Sequence, residues 1–176
     1  PKLWDDITPN LYKLETTLGS QKIVQNIGFR NIVMDPDKGL SVNGRTVKLN
    51  GVCLHHDLGC LGAATNERAI ERQLQILKAM GCNGIRCSHN PPSPILLDLC
   101  DRMGFLVMDE AFDMWHRRKT ERDYARFFET WANLDLSDLV KRDRNHPSIV
   151  IWSIGNEVQE QWSDARADTL SDQLLE

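Results

Sequence analysis

Four short apolar runs, each followed by an amphipathic stretch, dominate the sequence after residue 50. The runs are GVCLHH, CNGIRCSH, FLVMDEAF and SIVIWSIG, at residues 51–56, 82–89, 105–112 and 148–155. Strands that alternate with helices predict parallel βα units. Continuous apolar runs are typical of strands that are buried on both faces. We therefore expect one parallel sheet of four strands with both of its faces covered.

The stretches between these runs carry the period and the end signals of helices. In the second of them, Ser93 is placed to cap the first turn, Pro94 occupies the first helical position, and Gly104 ends the helix. Gly81 ends the first helix in the same way. The predicted helices cover residues 66–81, 93–104, 123–144 and 163–176.

The first fifty residues show a β pattern instead. Apolar residues alternate in residues 11–18, and residues 29–35 are a second short strand candidate. The clearest signal is a hairpin at residues 39–51, because Asn43-Gly44 supplies the positive φ angles that a two-residue type I′ turn requires. We expect a β-rich segment before the parallel sheet.

Two α/β architectures accommodate four βα units: an open doubly wound sheet and a (β/α)8 barrel. No GxGxxG motif follows the first apolar run, so a dinucleotide-binding fold has little support. A barrel needs eight units and about 250 residues, and this chain holds about half of one. In both architectures the carboxyl ends of the strands lie at the same end of the sheet or barrel, and the ligand site lies there too.

Composition argues against several partners. The 21 basic and 25 acidic residues give a net charge of −4, whereas a nucleic-acid footprint needs a basic patch. No run of 18 apolar residues is present, so we expect no membrane span. The first ten residues lack an initiator Met and a signal-peptide pattern. We expect a segment of a longer protein, whose localisation, cytoplasmic or bacterial periplasmic, stays open.

Cysteine usage predicts free thiols. The five cysteines are odd in number and show no CxxC spacing, which is typical of a protein from a reducing compartment. Cys53, His55 and His56 lie close together, but no second ligand cluster follows at zinc-like spacing. We expect no metal there.

Ionisable and amide side chains collect at the ends of all four runs. They are His55, His56 and Asp57; Arg86, Ser88, His89 and Asn90; Asp109, Glu110, Asp113 and His116; and Asn156 and Glu157. An ion pair of Arg86 with Asp109 or Glu110 would be a structural explanation. Four such strand ends nonetheless favour a functional cluster. Trp115, beyond the third run, is a better candidate for a sugar platform than Trp152, which we expect in the core.

The chemistry of these groups argues against two common kinds of site. Neither the GxSxG motif of a serine hydrolase nor a phosphate-binding loop is present. Carboxylate, amide, imidazole and guanidinium groups suit recognition of a polyhydroxyl ligand and general acid catalysis. Glu157 is the candidate acid, and Asn156 beside it is placed to hydrogen-bond a sugar hydroxyl.

Several stretches resemble glycoside hydrolase family 2, the group of β-galactosidases, β-glucuronidases and β-mannosidases. They are TPNLYKLETTL, GFRNI, NGVCLHHD, LKAMGCNGIRCSHNPP, LLDLCDRMGFLVMDEAF and RDRNHPSIVIWSIGNE, and DEAFDMW is most similar to β-galactosidase-type members. The resemblance implies strands of an immunoglobulin-like β-sandwich at residues 1–35 and a linking hairpin at residues 36–50. The first half of a (β/α)8 TIM barrel, with four βα units, follows at residues 51–176.

The resemblance also implies a retaining exo-β-glycosidase with Glu157 as its general acid/base. Asn156 matches a residue that contacts the sugar 2-hydroxyl, and Arg86 matches an arginine beside the nucleophile. His55 and His89 match sugar-contacting histidines. The nucleophile lies beyond residue 176, so we expect these residues to be inactive without the rest of the parent chain. Further candidate neighbours of the site are Asp57, Asp109, Glu110, Trp115 and His116.

Magnesium-dependent members of this family bind the ion through a Glu and a His after the third strand, together with the acid/base Glu. His116 fits the position of the His, but Met114 stands where the Glu would be. Because Mg²⁺ requires hard oxygen ligands, we expect neither a metal nor another cofactor.

Three other functions remain open on the residues alone. A non-catalytic carbohydrate-binding protein would share the sugar-binding strand ends but lack a Glu on a later strand. A barrel aldolase or isomerase needs a lysine at a strand end, and none of the four strand ends has one. A half-barrel with open strand edges favours association, so a structural homo-oligomer is the third expectation.

Overall fold

The N-terminal residues form an antiparallel hairpin in the computed structural model, which describes residues 1–163 and 167–175. Strand β1 (Tyr12–Leu18) pairs with β2 (Gln21–Ile27) around Gly19 and Ser20, and Gly19 has a φ of 58°. Strand β2 was not among the strands predicted from the sequence. A Gly-Ser pair between two strand-like runs is a hairpin signal that would have identified it.

A second antiparallel sheet follows at once. Strands β3 (Ile32–Asp35), β4 (Gly39–Val42) and β5 (Arg45–Thr46) lie in the order β3-β4-β5. The predicted type I′ hairpin is confirmed, because Asn43 and Gly44 have φ angles of 52° and 80° and link paired residues of β4 and β5. Because β3 pairs with β4, this sheet crosses residue 35, where we placed the end of the sandwich segment.

The four apolar runs form one parallel sheet, as predicted. Its strands are β6 (Gly51–His55), β7 (Gly84–Ser88), β8 (Leu106–Glu110) and β9 (Ile149–Ser153). Their spatial order follows their order in the chain, β6-β7-β8-β9, and all three pairings are parallel. A doubly wound sheet reverses its strand order at a switch point. The uninterrupted order among the described strands is that of a barrel instead.

Among the described residues, five α-helices connect or follow these strands. Asn66 caps α1 (Glu67–Ala79) and Ser93 caps α2 (Pro94–Met103) by accepting a hydrogen bond from the backbone N–H group three residues on. Gly81 and Gly104 follow these helices with positive φ angles. The predicted fourth helix, residues 163–176, falls partly on residues 164–166 and 176, which lie outside the described residues. The helices are α1 (Glu67–Ala79), α2 (Pro94–Met103), α3 (Ala125–Asp143), α4 (Glu160–Ser163) and α5 (Ala167–Leu175).

The hydrophobic core lies mainly between the sheet and its helices. One cluster packs α1 and α2 against the sheet around Leu74, Leu97 and Phe105. A second cluster surrounds Phe128 of α3. A third joins Trp4 and the β4–β5 hairpin to Leu106, at the amino end of β8. The N-terminal segment therefore packs against the amino ends of the strands and leaves their carboxyl ends free for a site.

Burial of the four strands differs from the prediction at the sheet edges. Strands β7 and β8 are almost entirely buried, but in β9 only Ile149 is. Trp152, which we expected in the core, is 40% exposed. Strand β9 is an edge of the described sheet, so no further strand covers it. No helix among the described residues is long and apolar enough to cross a membrane.

Candidate active site

The carboxyl ends of the four parallel strands come together at one end of the sheet, as predicted. Glu110, the last residue of β8, lies at the centre of this end and is completely buried. Its carboxylate accepts hydrogen bonds from Arg86 Nε at 2.9 Å and Nη2 at 3.1 Å, and from Ser153 Oγ at 2.8 Å. His89 Nδ1 lies 2.7 Å from the same carboxylate. Glu110 thus joins the ends of β7, β8 and β9.

Arg86 connects this carboxylate to the residues that follow β9. Its Nη2 also donates a hydrogen bond of 2.8 Å to Asn156 Oδ1. Burial alone would lower the pKa of Arg86, but the hydrogen bonds and charge of Glu110 outweigh it, so the pKa is raised. The guanidinium therefore stays charged, and a charge-assisted pair with Glu110 sets its orientation.

Asn156 is held from both sides. Its Oδ1 faces Arg86, and its Nδ2 donates to Asp113 Oδ1 at 2.9 Å. The residue is buried, with 7% of its surface exposed. These two contacts leave one amide hydrogen of Asn156 without a partner among the described residues, and this hydrogen is available to a ligand hydroxyl.

Glu157 follows Asn156 and projects from the tip of β9. Its side chain is 84% exposed, and its backbone has a φ of 46°, in the left-handed region that is uncommon for residues other than glycine. Lys119 Nζ lies 3.9 Å from Glu157 Oε2. Among the described carboxylates at the carboxyl ends of the strands, Glu157 alone is both exposed and without a hydrogen bond. It can therefore exchange a proton with a ligand.

The two histidines predicted to contact sugar lie side by side. The rings of His55 and His89 meet edge to face, with 5.3 Å between their centroids. His55 is exposed, whereas His89 is tied to Glu110. His56 turns away and binds the carbonyl of Ala63 through Nε2 at 2.9 Å.

Asp57 lies in the loop after β6, outside the hydrogen-bonded cluster around Glu110. It accepts a hydrogen bond from the backbone N–H of Gly59 and so stabilises this loop.

A cleft of about 590 Å³ opens on the other side of the site. His89, Asp113 and Tyr124 are among the residues that line it.

Lys119 is a member of this site that sequence reasoning missed. It lies in the loop between β8 and α3, and its Nζ donates hydrogen bonds to Asp113 Oδ1 at 2.7 Å and to the carbonyl oxygen of Asn156 at 2.8 Å. Burial tends to raise the pKa of Asp113, but hydrogen bonds from Lys119 and Asn156 and the Lys119 charge lower it overall. No periodic pattern links a loop residue to a strand tip, so the sequence carried no signal for this contact.

Three predicted neighbours lie outside the site. Trp115 is 3% exposed and belongs to the core around Phe128, and its Nε1 donates to the Ile154 carbonyl, so the prediction of a sugar platform is wrong. His116 packs on Phe128 and lies 3.3 Å from Glu129. Asp109 points to the opposite face of the sheet from Glu110, because side chains alternate along a strand.

Asp109 is instead part of a buried carboxyl pair. Asp143 lies beside it, and no other described group forms a hydrogen bond with its two oxygens. Burial and the charge of Asp143 raise the pKa of Asp109 to about 8. Arg142 donates to both oxygens of Asp143 at 2.6 Å, so the proton of the pair resides on Asp109 at neutral pH.

The residues around Glu157 do not fit a magnesium ion. Met114 is buried and offers only a thioether, and His116 is directed toward Glu129. The Lys119 ammonium group donates a hydrogen bond to Asp113 Oδ1, and its positive charge repels a divalent cation. The described side chains therefore supply no set of free oxygen ligands beside Glu157.

Comparison with known proteins places this arrangement in a family. The model of the TIM barrel domain of glycosyl hydrolases family 2 matches residues 33–171. The β-galactosidase BoGH2A of Bacteroides ovatus is 64% identical across 97% of this chain, and a putative β-glucuronidase of Formosa agariphila is 44% identical across 89%. A crystal structure of a family 2 member from Bacteroides cellulosilyticus superimposes on 98% of this chain with a TM-score of 0.92 and 43% identity.

This chain spans only part of these proteins. It covers 21% of BoGH2A, 16% of the putative β-glucuronidase and 23% of the B. cellulosilyticus structure. The family model nonetheless covers most of the chain, and the fold agrees with it, including four consecutive parallel βα units after antiparallel strands. The chain belongs to glycoside hydrolase family 2, and its parallel sheet and helices form the first half of that family's TIM barrel.

Proposed function

We propose that the residues at the carboxyl ends of the four parallel strands form the acid/base half of the active site of a retaining exo-β-glycosidase, a β-galactosidase. The observation that carries this proposal is the position of Glu157. Its exposed carboxylate stands at the tip of a barrel strand, beside Asn156, which Arg86 and Asp113 hold in place. The carboxyl ends of the strands carry the active site in TIM-barrel enzymes.

In the proposed mechanism Glu157 acts twice. It first donates a proton to the glycosidic oxygen as the bond to the leaving group breaks, and it later takes a proton from the water that releases the sugar. Asn156, His55 and His89 hydrogen-bond the sugar hydroxyls. Arg86 lies beside the nucleophile, and Glu110 orients both Arg86 and His89.

The nucleophile is proposed to come from another part of a longer chain. A retaining enzyme places its two carboxyl groups about 5–5.5 Å apart. Glu110 has four hydrogen-bond contacts and no exposed surface, and Asp113 is bound by Lys119 and Asn156. Neither carboxylate is free to attack an anomeric carbon.

Catalysis is proposed to need no metal ion. The poor fit of Met114, His116 and Lys119 to magnesium supports this. Dialysis of the extended enzyme against a chelator should leave kcat/KM unchanged, and added Mg²⁺ should not raise it. Loss of activity on chelation, restored by Mg²⁺, would show that residues elsewhere in the protein complete a metal site.

Galactose is the proposed sugar because BoGH2A, at 64% identity, is a β-galactosidase. A β-glucuronidase is the second candidate, supported by the relative from F. agariphila. The test is hydrolysis of nitrophenyl β-galactoside, β-glucuronide and β-mannoside by a chain extended to the length of its relatives. A clear preference for the galactoside is expected. A preference for another sugar would refute the galactose assignment, and binding without hydrolysis would favour a carbohydrate-binding protein.

A further inference from the structure

We propose that Lys119 is a positioning residue for Glu157, which it holds and stabilises as a carboxylate once Glu157 has given up its proton. This inference rests on the proposed function, because it assigns Glu157 the role of acid/base. Lys119 forms no bond to the substrate and transfers no proton in the reaction. It acts through the loop between β8 and α3, which it joins to the tip of β9.

Three contacts make Lys119 the link between these two segments. Its Nζ donates to Asp113 Oδ1 at 2.7 Å, within its own loop, and to the Asn156 carbonyl at 2.8 Å, at the tip of β9. The third contact is with Glu157 Oε2 at 3.9 Å. Only 20% of the Lys119 side chain is exposed, although a lysine side chain is ordinarily solvated.

The loop that carries Lys119 is itself anchored. Asp123 accepts hydrogen bonds from the backbone N–H groups of Lys119 at 2.7 Å and Thr120 at 2.8 Å, and also from that of Ala125 at the start of α3. These backbone hydrogen bonds lower the pKa of Asp123. The carboxylate therefore stays ionised and ties the backbone of Lys119 to the first residue of α3.

Glu157 needs such support because little else holds it. Its φ of 46° is uncommon for glutamate, and the Lys119 bond to the Asn156 carbonyl holds the peptide unit that leads into it. Lys119 Nζ is the one cationic group among the described residues within 4 Å of the Glu157 carboxylate. The side chain is otherwise free to adopt other rotamers.

The charge of Lys119 matters most in the first chemical step. Glu157 enters this step protonated and leaves it as a carboxylate, after its proton has moved to the oxygen of the leaving group. A fixed ammonium group nearby favours the negative charge that develops. Leaving groups that are poor without protonation depend on this step, whereas a dinitrophenolate leaves with little help.

The test compares leaving groups in the extended enzyme. Lys119→Met should lower kcat/KM by about tenfold or more for the alkyl or phenyl glycoside of the preferred sugar, but by less than about threefold for the dinitrophenyl glycoside. Lys119→Arg keeps the charge and should recover part of the loss. Lys141→Met removes an exposed lysine of α3 and serves as the matched control, with both rates unchanged.

Glu157→Gln, measured on the same substrates, separates the two proposals. Suppose that the loss of kcat/KM in Glu157→Gln depends on the leaving group, but that Lys119→Met lowers kcat/KM equally for both glycosides or lowers it for neither. The role of Lys119 is then refuted, and the acid/base assignment of Glu157 stands. If Glu157→Gln shows no such dependence, both proposals fail. The dinitrophenyl rate also reports correct folding, and Lys119→Gln replaces the Met variant if that variant does not fold.

Discussion

At the scale of single residues, the buried carboxylates of this chain have different partners and therefore different roles. Glu110 faces a guanidinium, a hydroxyl and an imidazole and holds these groups at the centre of the site. Asp109, its neighbour in β8, faces the carboxylate of Asp143 and holds a proton. Side chains alternate along a strand, so these two neighbouring acids lie in different surroundings, and only Glu110 belongs to the site.

The raised pKa of Asp109 predicts how the free energy of unfolding changes with pH. Its pKa is about 8 in the folded chain and close to 4 when unfolded. The folded state therefore retains a proton that the unfolded state releases, so this group's contribution to stability falls as pH rises from about 4 to about 8. Asp109→Asn removes that dependence. The unfolding temperature of the variant minus that of the wild type should therefore rise between pH 5 and pH 8 and then level off.

The raised pKa of His146 also lowers stability as pH rises through it, in both proteins. The His146 charge acts on Asp109 as a smaller influence than burial and Asp143, so the difference between the two proteins reports mainly Asp109. Burial lowers the pKa of this histidine, and its partner Asp101 more than compensates. Thermal unfolding of the two proteins at several pH values provides the measurement. A difference that stays constant from pH 5 to pH 9 would contradict a protonated Asp109.

At the scale of secondary-structure elements, the turn after β9 determines where Glu157 points. Gly155 lies against the buried Trp115, whose Nε1 donates to the Ile154 carbonyl at 2.8 Å. A Cβ at Gly155 would lie 2.8 Å from Val158 Cγ1 and 2.9 Å from Trp115 Nε1. The close approach of the core, rather than an unusual φ, is why glycine is needed here.

Gly155→Ala should therefore displace the tip of β9. We expect kcat/KM of the extended enzyme to fall by about tenfold or more, since small misplacements of catalytic groups are costly, while the protein still folds. Asn133→Ala, an exposed change on α3, is a control that should leave kcat/KM unaltered. Wild-type activity in Gly155→Ala would mean that the turn tolerates the extra carbon without moving Glu157.

The elements also show what could be predicted from sequence. Parallel strands, helix caps and the Asn43-Gly44 turn follow from local patterns, and the polar strand ends identified Arg86 and Glu110. The positions of Trp115 and Trp152 did not follow, because burial depends on which neighbours cover a strand end or a sheet edge. Lys119 reaches the site through a long loop, and no local rule connects such a loop to the tip of another strand.

At the scale of the whole molecule, the two ends of the sheet have separate roles. Trp4 and the β4–β5 hairpin pack against the amino ends of the strands, and Arg30 donates to the carbonyls of Pro147 and Ile149 beside β9. The carboxyl ends carry the cluster around Glu110. Contacts that stabilise the barrel are thus kept apart from residues that are proposed to bind and cleave the substrate.

The 176 residues alone should be inactive and prone to associate. The described residues offer no free second carboxylate beside Glu157, and β6 and β9 are open edges of the described sheet. Open edges and exposed apolar side chains such as Trp152 favour self-association. Size-exclusion chromatography and nitrophenyl galactoside hydrolysis provide the measurements. Turnover by this chain, abolished in Glu157→Gln, would show that the nucleophile is present within it.

The role of Glu157 as the acid/base of a retaining enzyme is tested most directly by azide rescue of the extended enzyme. In Glu157→Ala the sugar still forms a covalent intermediate from a dinitrophenyl glycoside, but water attacks it slowly without a general base. Azide needs no such base, so it should restore turnover and yield the β-glycosyl azide. An α-glycosyl azide would identify Glu157 as the nucleophile instead, and wild-type turnover without azide would show that Glu157 has no part in the chemistry.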